Sequence, residues 1–173
     1  MSISIRPFDG NFGAEVIGFD FETNGNEDTF QLLRDAWVEH AVICIRHQKI
    51  EPEFFLKLAK IFGEPIPQLI NHKAFALPSH PVISVLSSGH VDTLGSGKPI
   101  NRGGSWHSDH SNTPQPPSGT ILHALQLPSQ GGNTRFTNQT LAYENLSSDM
   151  KKKIEDLKAK HVYQSKYSTR KMP

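Results

Sequence analysis

Between Gly103 and Ser111 the chain reads GGSWHSDHS, which crowds His107, Asp109 and His110 into one short stretch. On an extended backbone side chains alternate, so His107 and Asp109 face one side while Trp106, Ser108 and His110 face the other. An imidazole nitrogen and a carboxylate oxygen then converge on a common point, a donor pair that suits a divalent metal of intermediate hardness. A second histidine from elsewhere would complete the two-His, one-carboxylate face of non-haem Fe(II) oxygenases, which leaves coordination positions open for reactants. An H-x-D tripeptide arises often by chance, so its meaning depends on what surrounds it.

The elements that must position this motif are legible in outline. ISIRPF (3–8) alternates apolar and polar residues and reads as a strand, and GAEVIGFDF (13–21) can make a second. NEDTFQLLRDAWVEH (26–40) opens with a capping-type start and repeats apolar residues at helical spacing. AVICIRH (41–47) is a buried strand, and EPEFFLKLAKIFGE (51–64) is an amphipathic helix from Pro52 to Gly63. PVISVLSS (81–88) is a further strand. Residues 89–119 form a long polar stretch rich in Gly and Pro, and such stretches inside compact domains are often functional. GTILHALQLPSQGGNTRFTN (119–138) reads as two strands joined by a PSQGG turn, and residues 140–161 supply two helical segments broken near Ser147. Strands do not alternate regularly with helices, which favours a β-rich α+β core with flanking helices over a doubly wound parallel sheet.

At 173 residues, 36% hydrophobic and 20% charged, the chain can build one core, and residues 1–173 are expected to form a single domain. No signal-peptide pattern opens it, and its longest apolar run, AVICI (41–45), is too short to span a bilayer. The single cysteine, Cys44, excludes an internal disulfide framework and fits a reducing, cytoplasmic setting as a small buried hydrophobe. The net charge of +1 conceals an acidic body and a basic tail from residue 151 onward. That tail lacks the interleaved aromatics of single-strand binders and reads as a solvated helix face, so neither nucleic acid nor membrane is expected as a partner. A homo-oligomer stays open.

The stretch GGSWHSDHSNTPQPPSGTILHALQLPSQGGNTRFTNQTLAYENLS resembles the taurine/2,4-dichlorophenoxyacetate dioxygenase family of Fe(II)- and 2-oxoglutarate-dependent enzymes. The resemblance extends upstream through HAVICIRHQKIEPEFFLKLAKIFGE and the N-terminal strand pair, and so covers nearly the whole chain. It implies a double-stranded β-helix, or jelly roll, with helices packed outside. It implies His107 and Asp109 as catalytic iron ligands, and Thr134 as the threonine that hydrogen-bonds the distal carboxylate of 2-oxoglutarate. The reaction implied consumes O2 and 2-oxoglutarate, releases succinate and CO2, and hydroxylates an aliphatic C–H of a small organic substrate. Within that frame Trp106 packs beside the site, His110 takes a loop or outer role, and His123 is a satisfied core histidine. Thr134 has a plainer reading as a β-former in a strand.

Substrate contacts in the family fall just after the FGE segment and just before W-H-x-D. Those regions offer Gln68, Asn71 and His72, then Asn101 and Arg102. An ungapped match sets Gln68 where taurine enzymes use a histidine, Asn71 where they use a tyrosine, and Gly103 where they use an asparagine. These departures argue against taurine itself. Arg102 offers a guanidinium to an anionic substrate or is a solvated loop cation.

The family pattern also needs a third ligand, a downstream histidine with an arginine soon after it for the 2-oxoglutarate carboxylate. His161 and Arg170 are too close to the motif to match, so the third ligand is not expected in this chain. These 173 residues are expected to be the N-terminal portion of a longer dioxygenase, with the jelly roll incomplete. Two other readings compete. One is a truncated, inactive jelly-roll module acting as a binding partner. The other is a metal-dependent hydrolase of the H-x-H-x-D-H kind, which Ser105 disfavours because it stands where that pattern needs a histidine.

Overall fold

The computed structural model describes residues 2–10, 12–67, 75–87, 89 and 106–162. Contacts divide the chain into two compact units, residues 1–62 with 122–157, and residues 63–121 with 158–173.

The first unit is built on a three-stranded mixed sheet. β1 (Ser4–Pro7) pairs antiparallel with β2 (Ala14–Ile17), setting Ile5 opposite Val16 and Arg6 opposite Glu15. β2 pairs on its other edge, in parallel, with β3 (Ile43–Ile45). As the central strand β2 is buried at Ala14, Glu15 and Val16. It is shorter than the sequence suggests, because Gly18 turns the chain at φ 77°, in the left-handed region open to glycine. A Cβ there would sit 2.8 Å from the Ser2 carbonyl oxygen. Residues 21–24 form a single helical turn, α1 (Phe21–Asn24), capped by the Asp20 side chain.

The long helix α2 (Glu27–His40) begins in a capping box: Asn26 accepts from the Thr29 backbone N–H, and the Thr29 hydroxyl oxygen accepts from the Asn26 backbone N–H. It ends at Ala41, whose left-handed conformation lets its N–H reach the Trp37 carbonyl. α3 (Pro52–Phe62) starts on proline and stops at Gly63, as its sequence pattern requires. Buried Val16, Phe19, Leu33 and Leu58 form the core, with Phe21, Phe30, Ile43, Ile45, Ile61 and Phe62 packed around them. Phe21 stacks on Phe30 with ring centroids 5.8 Å apart, and Trp37 meets Phe62 edge-on at 5.5 Å. Two short helices, α4 (Gln139–Glu144) and α5 (Ser148–Ile154), are capped by Asn138 and Ser147, so the expected break near Ser147 is a new N-cap.

Glu15 is the buried charge of this unit. Its carboxylate accepts from Arg6 on β1 and from Arg46 just past β3. The Arg46 bond, then the Arg6 bond, hold the Glu15 carboxyl below the ordinary carboxylate range against the opposing effect of burial. The same partner raises the Arg46 guanidinium above its usual value.

In the second unit β4 (Ala76–Leu77) and β5 (His80–Ser84) make an antiparallel hairpin around Pro78 and Ser79. The strand expected over 81–88 is therefore centred earlier and stops at Ser84.

Two sequence expectations are corrected. The chain is α+β, but helix outweighs strand among the described residues, so it is not β-rich there. Residues 119–138 carry no strand. The alternation is real, yet a strand exists only through a hydrogen-bonded neighbour, and no described residue supplies one. Leu122, Leu125, Leu127 and Phe136 consequently stand exposed. Among the described residues no helix is long and apolar enough to cross a membrane.

Candidate active site

The W-H-S-D-H motif enters the second unit as irregular backbone and turns at Asp109 and His110. His107 and Asp109 do share one side. Nε2 of His107 lies 3.4 Å from Oδ1 of Asp109, and both side chains are about half exposed. The bend comes at His110, whose φ of 51° is in the left-handed region and takes its side chain out of the alternation. The His110 carbonyl then accepts two bonds from Thr113, from its N–H at 3.0 Å and its hydroxyl at 2.9 Å. Pro114, Pro116 and Pro117 restrict the loop that follows. It returns at Thr120, whose hydroxyl donates to Oδ2 of Asp109 at 2.6 Å. Pattern reasoning misses Thr120: eleven residues separate it from Asp109, and only the closing of the loop joins them.

Two metal bonds of about 2.1 Å each span up to about 4.2 Å, so donor atoms 3.4 Å apart can bind one ion. One nitrogen and one carboxylate oxygen also match the donor chemistry that imidazole- and carboxylate-binding metals such as iron accept. The pair fits a shared divalent cation. Among the described residues no group of three or more His, Cys, Asp or Glu gathers for a metal.

Thr134 belongs to the first unit. It is exposed and follows Gly131 and Gly132, which take φ values of 73° and 70° and bend the chain just before it. Trp106, next to His107 in the chain, is 67% exposed. His123 has its partner inside the first unit: Nε2 lies 3.2 Å from the Gln48 carbonyl, and the ring rests against Phe55. Cys44 is half-buried on β3. Gln68, Asn71, His72, Asn101, Arg102, Gly103 and Ser105 lie outside the described residues.

The model of the family described as "Taurine catabolism dioxygenase TauD, TfdA family" matches residues 4–173. The chain belongs to that family. An alkylsulfatase of Acinetobacter baylyi is 30% identical over 170 residues, covering 95% of this chain and 49% of its own length. An alpha-ketoglutarate-dependent sulfate ester dioxygenase of Pseudomonas putida is 26% identical, covering 98% of this chain and 52% of its own. The crystal structure of a taurine dioxygenase from Burkholderia xenovorans superposes with a TM-score of 0.71 at 25% identity, over 90% of this chain and 52% of that one. The chain thus spans about half the length of the curated relatives it matches.

Proposed function

We propose that this chain contributes to an Fe(II)- and 2-oxoglutarate-dependent dioxygenase that hydroxylates a small anionic organic substrate, a sulfate ester being the first candidate. The observation that carries the proposal is the 3.4 Å approach of His107 Nε2 to Asp109 Oδ1 in a chain of the TauD/TfdA family. The substrate class rests on what the two named relatives are called, an alkylsulfatase and a sulfate ester dioxygenase.

In this reading His107 and Asp109 hold the ion, and Thr134 donates its hydroxyl to the distal carboxylate of 2-oxoglutarate. When bound, ferrous iron would supply the redox chemistry by which one O2 oxidises 2-oxoglutarate to succinate and CO2 with one oxygen atom and hydroxylates an aliphatic C–H with the other. The protein's share is positional. His107 offers a neutral donor, Asp109 contributes a negative charge that offsets the cation, and one-sided ligation leaves room for two reactants. Gln68, Asn71, Asn101 and Arg102 are assigned to substrate, with Arg102 the group suited to an anion. The fold class in this reading is the double-stranded β-helix that the family resemblance implies. The setting in this reading is the cytoplasm, with no nucleic acid or membrane as partner, and a homo-oligomer stays open.

The test is anaerobic addition of Fe(II) and 2-oxoglutarate to the purified full chain. A visible charge-transfer band, followed by succinate formation once O2 and an alkyl sulfate are admitted, is the expected result. Absence of both the band and succinate rejects the reading.

A further inference from the structure

We propose that Thr120 is the positioning residue of the candidate metal pair, holding the Asp109 carboxylate so that Oδ1 is presented beside His107. The inference rests on the reading of His107 and Asp109 as ligands and adds to it the group that orients one of them.

Asp109 is exposed, so packing does little to fix its rotamer, and a carboxylate on a turn would otherwise swing about χ1 and χ2. Two described groups address it. Oδ2 accepts from the Thr120 hydroxyl at 2.6 Å, and Oδ1 lies 3.4 Å from His107 Nε2. An ionised carboxylate can only accept, so the hydroxyl must donate, and 2.6 Å is the length of a charge-assisted O–H···O bond. The two oxygens are thereby made unequal: one is tied to the protein, and the other is left on the histidine side.

The loop between them is built to hold that bond. His110 takes the left-handed conformation immediately after Asp109, and Thr113 bonds the His110 carbonyl twice. Pro114, Pro116 and Pro117 then cut the number of paths by which the chain can come back to Thr120. The entropy of aligning Thr120 with Asp109 is thus largely spent in forming the loop. Groups that hydrogen-bond a ligating carboxylate in this way typically support metal affinity by about 10–100-fold.

Manganese(II) binding to the full chain, followed by electron paramagnetic resonance of the free ion, tests the inference without any turnover. Wild type is compared with T120V, T120S, T120A and D109A, and the thermal midpoint of each is recorded. T120V and T120A are expected to weaken Mn(II) by about 10–100-fold, with T120S restoring wild-type affinity and all three midpoints unchanged. Loss of affinity in T120S equal to that in T120V overturns the inference, because a retained hydroxyl would then count for nothing. So does wild-type affinity in T120V or T120A. Should T120V not fold, T120A against T120S makes the same comparison. If D109A binds as wild type does, or wild type binds no Mn(II), the ligand assignment itself fails and takes the inference with it. D109A weakened beside an unaffected T120V rejects only the role of Thr120.

Discussion

His107 and Asp109, separated by one residue, bring Nε2 and Oδ1 to 3.4 Å on the exposed side of a turn. If the pair serves a cation, replacing either member should remove one of its bonds. H107A and D109A should each lower Fe(II) or Mn(II) affinity beyond the about 10–100-fold typical of losing an outer hydrogen bond. Metal-to-protein ratios after desalting check this, and H110A should keep the wild-type ratio, because His110 does not join the pair in a three-member metal-binding group among the described residues.

Glu15 sets an acid limit on the first unit. Its carboxyl is lowered from an ordinary value of 4.5, chiefly by the Arg46 bond and then by the Arg6 bond. A depressed folded-state value favours the folded form wherever the unfolded carboxyl is ionised. That contribution is complete above about pH 4.5 and is lost as pH falls through the lowered folded value. Thermal midpoints measured from pH 7 downward should therefore fall in this window for wild type. In E15Q the midpoint should be lower at pH 7 and flatter below pH 4.5.

Leu33 and Leu125 separate packing from pattern. Leu33 is fully buried on α2, whereas Leu125 is 80% exposed on residues 119–138. L33A should cost about 2–5 kcal/mol, as buried leucine truncations do, and L125A should stay within about 0.5 kcal/mol. Urea unfolding of the two variants measures both, and a large loss in L125A would mean that its surroundings are not those described.

Gly18 ends β2 in a conformation that an L-residue resists. G18A must hold φ near 77° and place a methyl 2.8 Å from the Ser2 carbonyl oxygen. A loss of about 1–2 kcal/mol from the left-handed backbone, increased by the contact, is expected in denaturant titration. G10A, with nothing within 4 Å of its Cβ, is the control and should be near neutral.

What the sequence could convey follows from how local each cause is. The helices were legible because their signals, Asn26 with Thr29, Pro52 with Gly63, and Ser147, lie within a turn of the residues they govern. The convergence of His107 and Asp109 was legible for the same reason, being a matter of two residues on one backbone. Over residues 119–138 alternation describes the faces a strand would have and says nothing about whether a neighbour is there to pair with it, so no strand forms. The grips of Thr120 on Asp109 and of Arg6 and Arg46 on Glu15 were invisible, since each depends on chain return.

The double grip on Glu15 also bears on how the sheet is assembled. Sliding β2 by a single position against either neighbour would rotate the carboxylate away from both guanidinium groups and strand an uncompensated charge, while turning Val16 out of the core. Mispaired arrangements are thus penalised by electrostatics as well as by lost packing. The two arginines act as an alignment key for the register of the native sheet.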